Sequence, residues 1–165
     1  MRGKIRWCSV LMLGWFLLAC GVNLEAMRKT AEQALHSGNY AAAVETCNKA
    51  LEAMDPKKAD PKAVWSFERI RLEAYARLGD GFQTGDTLLR LERDFPTQIN
   101  ASLYLTLAEY LRETGELAEA LQILATGDQK FPESAPDFRA AIEDIKNESQ
   151  QDEAVVEQLK KLGYL

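Results

Sequence analysis

Apolar residues recur at helical spacing along almost the whole chain. Ala43, Val44, Cys47, Ala50 and Leu51 follow the i, i+1, i+4, i+7, i+8 rhythm of a helix face turned into a core. Leu103, Tyr104, Leu107, Ala108 and Leu111 repeat it, as do Leu117, Ala120, Leu121, Leu124 and Ala125. Strand signals are absent. Breakers fall between the faces: Ser37-Gly38-Asn39, Asp55-Pro56, Asp60-Pro61, Gly79-Asp80-Gly81, Phe95-Pro96, Gly115 and Phe131-Pro132. Several boundaries carry cap chemistry. Asn23 reads as an N-cap with Glu25 in the first turn, and Asp60 as an N-cap followed by Pro61. Ser134 with Asp137, and Ser149 with Asp152, read as capping boxes with Asp in place of Glu. Gly163, after Lys160-Lys161-Leu162, reads as a terminating glycine. The pattern predicts an all-α fold.

The first residues follow another rule. Arg2, Lys4 and Arg6 precede a mostly apolar run from Trp7 to Ala19. A spanning helix needs about 20 apolar residues, so the run is short for a permanent anchor. Its charge, its length and the small Ala19 before the break are those of an export signal. The ending Leu17-Leu18-Ala19-Cys20 resembles a bacterial lipobox. The resemblance implies cleavage before Cys20 and a diacylglycerol thioether on it. An ordinary signal peptide or a short uncleaved anchor is the alternative. The expected division is residues 1–19 as lipoprotein signal peptide, 20–23 as lipidated tether and 24–165 as folded domain. Two or more acyl chains hold a protein stably to a membrane. Gly21 stands where Asp commonly marks inner-membrane retention, so the resemblance favours the outer membrane, facing the periplasm. A tether of four residues reaches at most about 14 Å at ~3.5 Å per residue, which would hold the first helix near the headgroups.

Charge and cysteine content narrow the function. The formal net charge is −5, and loss of Arg2, Lys4 and Arg6 with the signal makes it about −8. So acidic a chain has no electrostatic reason to hold nucleic acid or an anionic membrane surface. Cys8 leaves with the signal and Cys20 would be consumed by lipid, so Cys47 stands alone and no intrachain disulfide is available.

The breakers are periodic: Gly79 to Gly115 is 36 residues, and so is Pro96 to Pro132. Helix pairs repeating at about 34 residues mark tetratricopeptide arrays. Tyr104, Leu107, Ala108, Leu111, Gly115, Leu117, Ala120, Leu124, Gly127 and Pro132 resemble that family's signature in order. An earlier unit gives Ala31, Gly38, Tyr40, Ala43 and Ala50. A degenerate one keeps Tyr75, Gly79, Leu88 and Pro96, but has Leu72 and Thr84 where small residues are usual. A faint last one, a repeat or a capping helix pair, holds Phe138, Ile142, Ser149 and Ala154. The resemblance implies a short TPR-type α-solenoid of three to four antiparallel helix pairs. A generic antiparallel helical bundle is the alternative.

Candidate chemistry is sparse. His36, the lone histidine, sits at a helix end, where a cation or a solvated residue is the ordinary reading. Cys47 falls on a core face and reads as a small hydrophobe. The run Gly79–Asp86 has glycines but no Gly-Lys-Ser/Thr ending and no EF-hand spacing, so it reads as an interhelical turn. No metal motif or nucleophile elbow is present. No catalytic residue, metal ligand, cofactor or small-molecule substrate is expected.

The TPR resemblance places a binding groove along the first helix of each pair. Glu32, Glu73, Glu109 and Glu143 take one groove position, and Arg28, Arg69, Leu105 and Arg139 the other. Arg preceding Glu by four is the weaker order for an intrahelical ion pair, so helix stability alone accounts poorly for the stripe. A solvated charged face is the alternative. The family's chaperone-tail clamp has Lys and Asn where Arg28 and Glu32 stand, which disfavours a C-terminal carboxylate ligand. The expected function is a membrane-anchored, non-catalytic adaptor or assembly factor for an envelope complex, with a protein or peptide partner. The alternative is a non-catalytic subunit or regulator of a cell-wall hydrolase or synthase.

Overall fold

The computed structural model describes residues 23–149 and 152–165. The signal segment and Cys20 lie outside the described residues, as does the tether up to residue 22. Within them eight α-helices follow one another: α1 (Leu24–His36), α2 (Tyr40–Glu52), α3 (Pro61–Leu78), α4 (Gly81–Asp94), α5 (Ala101–Glu113), α6 (Leu117–Lys130), α7 (Ala135–Glu148) and α8 (Glu153–Leu162). Single 3-10 turns at Pro96–Gln98 and Pro132–Ser134 complete the described elements, with no strand among them. No described helix is long and apolar enough to cross a membrane.

The boundaries follow from cap chemistry. Asn23, Asn39, Asp80 and Asn100 each accept a hydrogen bond from a first-turn N–H, at 3.0–3.3 Å. Asp60 accepts from Lys62 N–H at 3.1 Å, with Pro61 pre-set for the helix start. Gly79 and Gly163 end α3 and α8 in the left-handed region, at φ 72° and 82°. Neither predicted capping box forms. Ser134 closes a 3-10 turn and makes no side-chain cap bond. Ser149 ends α7, and Asp152 itself caps α8, accepting from Ala154 and Val155 N–H. Ser134 holds the N-cap position of α7 without making the bond, and the second start signal moves three residues on, from Ser149 to Asp152.

Helices joined by short turns pack on each other, and alternate helices touch as well: α1 on α3, α3 on α5, α5 on α7, and α4 on α6, α6 on α8. Several side-chain contacts join residues one 36-residue step apart. Gln158 donates to Gln122, Tyr164 to Asp128, and Arg112 to Glu148.

The interior divides into two clusters. The first gathers Ala31, Ala43, Cys47, Ala50 and Ala74 with Met54, Phe67 and Ile70. The second runs from Leu72 and Ala76 through Tyr104, Leu107, Leu111, Leu121 and Leu124 to Phe138, Ile142 and Leu159. Helix α3 contributes to both. A charged seam lies where α2, α3 and α4 approach: buried Glu68 takes Arg71 at 2.6 Å and Arg90 at 3.4 Å, and Arg71 also donates to Asn48 at 2.7 Å. Gly127 has no room for a side chain, because a Cβ there would stand 2.3 Å from the Phe138 ring.

Candidate functional site

Helical phase decides which side chains leave the core. On α5 the buried residues are Tyr104, Leu107, Ala108 and Leu111. That leaves Leu105, Glu109 and Arg112 on one flank and Ser102, Thr106 and Tyr110 on the other. The first flank faces Ala141, Asp144 and Ile145 of α7 across a small cleft of about 60 Å³. The second faces Trp65, Arg69 and Glu73 of α3 across a cleft of about 230 Å³, whose floor is Leu103 and Leu107. A third cleft, about 320 Å³, lies between Glu25 and Arg28 of α1 and Lys62, Ala63 and Ser66 of α3. The odd-numbered helices therefore carry three clefts in succession.

The predicted groove residues distribute over these clefts unevenly. Arg28, Arg69, Glu73, Leu105 and Glu109 line them, with Glu32 bonded to Arg28 at the edge of the first. Arg139 and Glu143 lie on the flank of α7 away from α5. There Arg139 reaches Asp128 of α6 at 3.4 Å and Glu143 pairs with Lys146 at 3.1 Å. Only Arg28 and Glu32 pair in the Arg-to-Glu order, at 2.5 Å, and elsewhere the charges pair differently. Glu73 takes Arg77 at 3.1 Å, Glu109 takes Arg112 at 2.6 Å, and Glu25 takes Arg28 at 2.8 Å. In these three pairs the carboxylate precedes its cation, the order that helix geometry favours.

Electrostatics follow that pairing. The Arg112 hydrogen bonds, with desolvation opposing them, hold the Glu109 carboxyl below its ordinary range. Arg112, clamped by Glu109 and by Glu148 at 2.8 Å, titrates well above an ordinary guanidinium. Arg77 lies over the Tyr110 ring at 3.8 Å and near Tyr40 at 5.8 Å. Desolvation raises the Tyr110 hydroxyl, and the Glu73 carboxylate adds to the shift. Arg69 alone among the cleft arginines makes no ion pair or hydrogen bond with a described residue.

Other candidates have structural places. His36 is exposed at the end of α1, its Nδ1 2.6 Å from the Glu32 carbonyl oxygen. Burial pushes the Cys47 thiol up to about 12, with Arg71 lowering and Glu68 raising it in smaller measure. Such a thiol is a poor nucleophile. Gly79–Asp86 is the α3–α4 turn and the first turn and a half of α4. Among the described residues no group of His, Cys, Asp and Glu could hold a metal ion.

Sequence reasoning missed Trp65, Gln98, Asn100, Ser102, Thr106 and Tyr110, which complete the central cleft. The Ser102–Thr106–Tyr110 ladder at i, i+4, i+8 was a legible polar flank, but only the packing of α3 on α5 makes it a wall. Comparison with protein-family models, with curated proteins and with solved structures finds no match.

Proposed function

We propose that this chain is a lipid-anchored, non-catalytic adaptor that holds a protein or peptide segment along the odd-numbered helices of a TPR-type solenoid. The observation that carries the reading is the succession of three clefts on one set of alternating helices. An extended segment laid across them would meet a repeated surface. The hydrogen bonds and ion pair joining residues 36 apart support the repeat reading, since a repeat array places each contact one unit from the last. The Leu17-Leu18-Ala19-Cys20 ending supports the anchor. It would place the protein in the cell envelope, at the outer membrane and facing the periplasm.

Two experiments test this. A photocrosslinker at Thr106, in the middle cleft, and another at the exposed Phe82 on α4 are compared in intact cells, with mass spectrometry of the products. A discrete adduct from residue 106 and none from residue 82 is expected; equal or reversed labelling overturns the groove assignment. Membrane fractionation of Cys20→Ser should move the protein to the soluble fraction. Full retention overturns the anchor or means that the partner itself holds the protein at the membrane.

A further inference from the structure

Each of the three clefts carries an arginine, and two of these are neutralised internally. Arg28 is held by Glu25 and Glu32, and Arg112 by Glu109 and Glu148. In the middle cleft the local carboxylate, Glu73, is drawn off to Arg77, which is itself fixed over Tyr110. Arg69 is left exposed and unmatched among the described residues. Around it stand hydrogen-bonding groups that engage nothing else described: the hydroxyls of Ser102 and Thr106, the Gln98 amide and the Trp65 indole N–H. A cation beside neutral donors, with the cleft's own carboxylate Glu73 already paired to Arg77, is the complement of a single carboxylate. At about 230 Å³ the cleft is smaller than the ~300–1,000 Å³ of small-molecule sites, and suits a side chain better than a free metabolite.

We infer that the α3–α5 cleft selects one Asp or Glu side chain of an extended partner segment, paired with Arg69 and hydrogen-bonded by the surrounding donors. This rests on the adaptor reading. The residue is interior to the segment, because clefts on both sides of the middle one give the chain somewhere to continue. A phosphate dianion would leave charge unmatched beside Glu73. Nucleic acid is disfavoured by the acidic whole.

The test uses the full chain with Trp7→Phe and Trp15→Phe, so that Trp65 is its only tryptophan and reports the cleft. A library of blocked peptides, N-acetylated and C-amidated, is screened on this protein and on its Arg69→Gln variant. Expected is enrichment of Asp or Glu at one position, a change in Trp65 emission on binding, and about tenfold to hundredfold weaker binding to Arg69→Gln. Arg69→Lys should recover part of the loss. Arg69 is exposed and its helix is capped at both ends, so the variants keep the wild-type melt. Winners without an acidic residue, acidic winners that bind Arg69→Gln equally, or binding that needs a free C-terminal carboxylate or a phosphoserine each overturn this inference while sparing the adaptor reading. If no peptide binds at all, both fall.

Discussion

The two interiors of this molecule are both built from packed helices and are filled in different proportions. In the N-terminal cluster the fully buried residues are mostly alanine, with Cys47 among them. In the C-terminal cluster they are mostly leucine and isoleucine with Tyr104, Phe138 and Val155, and alanine is the minority, at Ala76, Ala108 and Ala120. Small side chains let helix backbones approach closely but remove little apolar surface from water. Large ones bury more, at about 25 cal/mol per Å². One half is thus held by closeness and the other by payload. The first should be intolerant of enlargement and the second of truncation. Between them lies the Glu68–Arg71–Arg90 seam, whose charges set the relative position of α2, α3 and α4 but add little net stability.

The sharpest way to break the comparison is Phe138→Ala. The ring is fully buried and fills the space that Gly127 leaves, so the loss should be roughly 3–5 kcal/mol in urea unfolding. A loss below 1 kcal/mol would deny the second half its large-residue character. Glu68→Gln comes next, at about 2–3 kcal/mol, because it leaves two guanidiniums facing a neutral amide inside the seam. Enlargement separates the halves directly. Ala43→Leu should cost about 1–3 kcal/mol. Ala108→Leu should cost less, because Ala108 borders the small α5–α7 cleft and a longer side chain has room to enter it. Equal thermal shifts for these two variants would show that closeness is not particular to the first half.

Two native probes sharpen the same point. Cys47 reports the first cluster and Trp65, tilted against Phe95 with ring centroids 5.5 Å apart, packs on the second. Alkylation of Cys47 should be slow in the native protein and should accelerate at lower urea than the change in Trp65 emission. Coincident transitions would mean that the seam couples both halves into one two-state unit. The smallest effect is that of pH. The folded Glu109 carboxyl lies below its unfolded value, so its contribution is complete above the ordinary carboxylate range and is lost as pH falls through the folded value. The pair is a third to a half exposed, so Glu109→Gln should reduce the difference between pH 7 and pH 3 melts by under about 1 kcal/mol.

Much of the fold is legible in the sequence because its signals are local. Caps at Asn23 and Asp60, the left-handed glycines and the proline breaks each act within a turn of where they sit, and the helix bounds follow. The failures have a physical reason too. Ser134 is a good cap residue at the N-cap position, but it closes the 3-10 turn begun by Pro132 and makes no cap bond. The groove charges were read as a stripe along each helix, yet a carboxylate takes whichever cation its rotamer reaches, and for Glu73 and Glu109 that cation lies downstream. The central cleft was invisible because its walls are at least 25 residues apart and each is ordinary by itself.

Helix α3 is 18 residues long, longer than the 13 or 14 of α1, α2, α4 and α5, and it is rooted in both interiors. Phe67 and Ile70 bind it to the alanine-rich half, Leu72 and Ala76 to the other, and Trp65 and Arg69 stand on the same rod. One wall of the cleft is therefore mounted on a helix that answers to the first half, and the facing wall on α5 belongs wholly to the second. The width of the opening therefore depends on how α3 sits against α5. If a partner binds this cleft more tightly in one arrangement of the halves than in another, linkage requires that binding also shift the halves toward that arrangement.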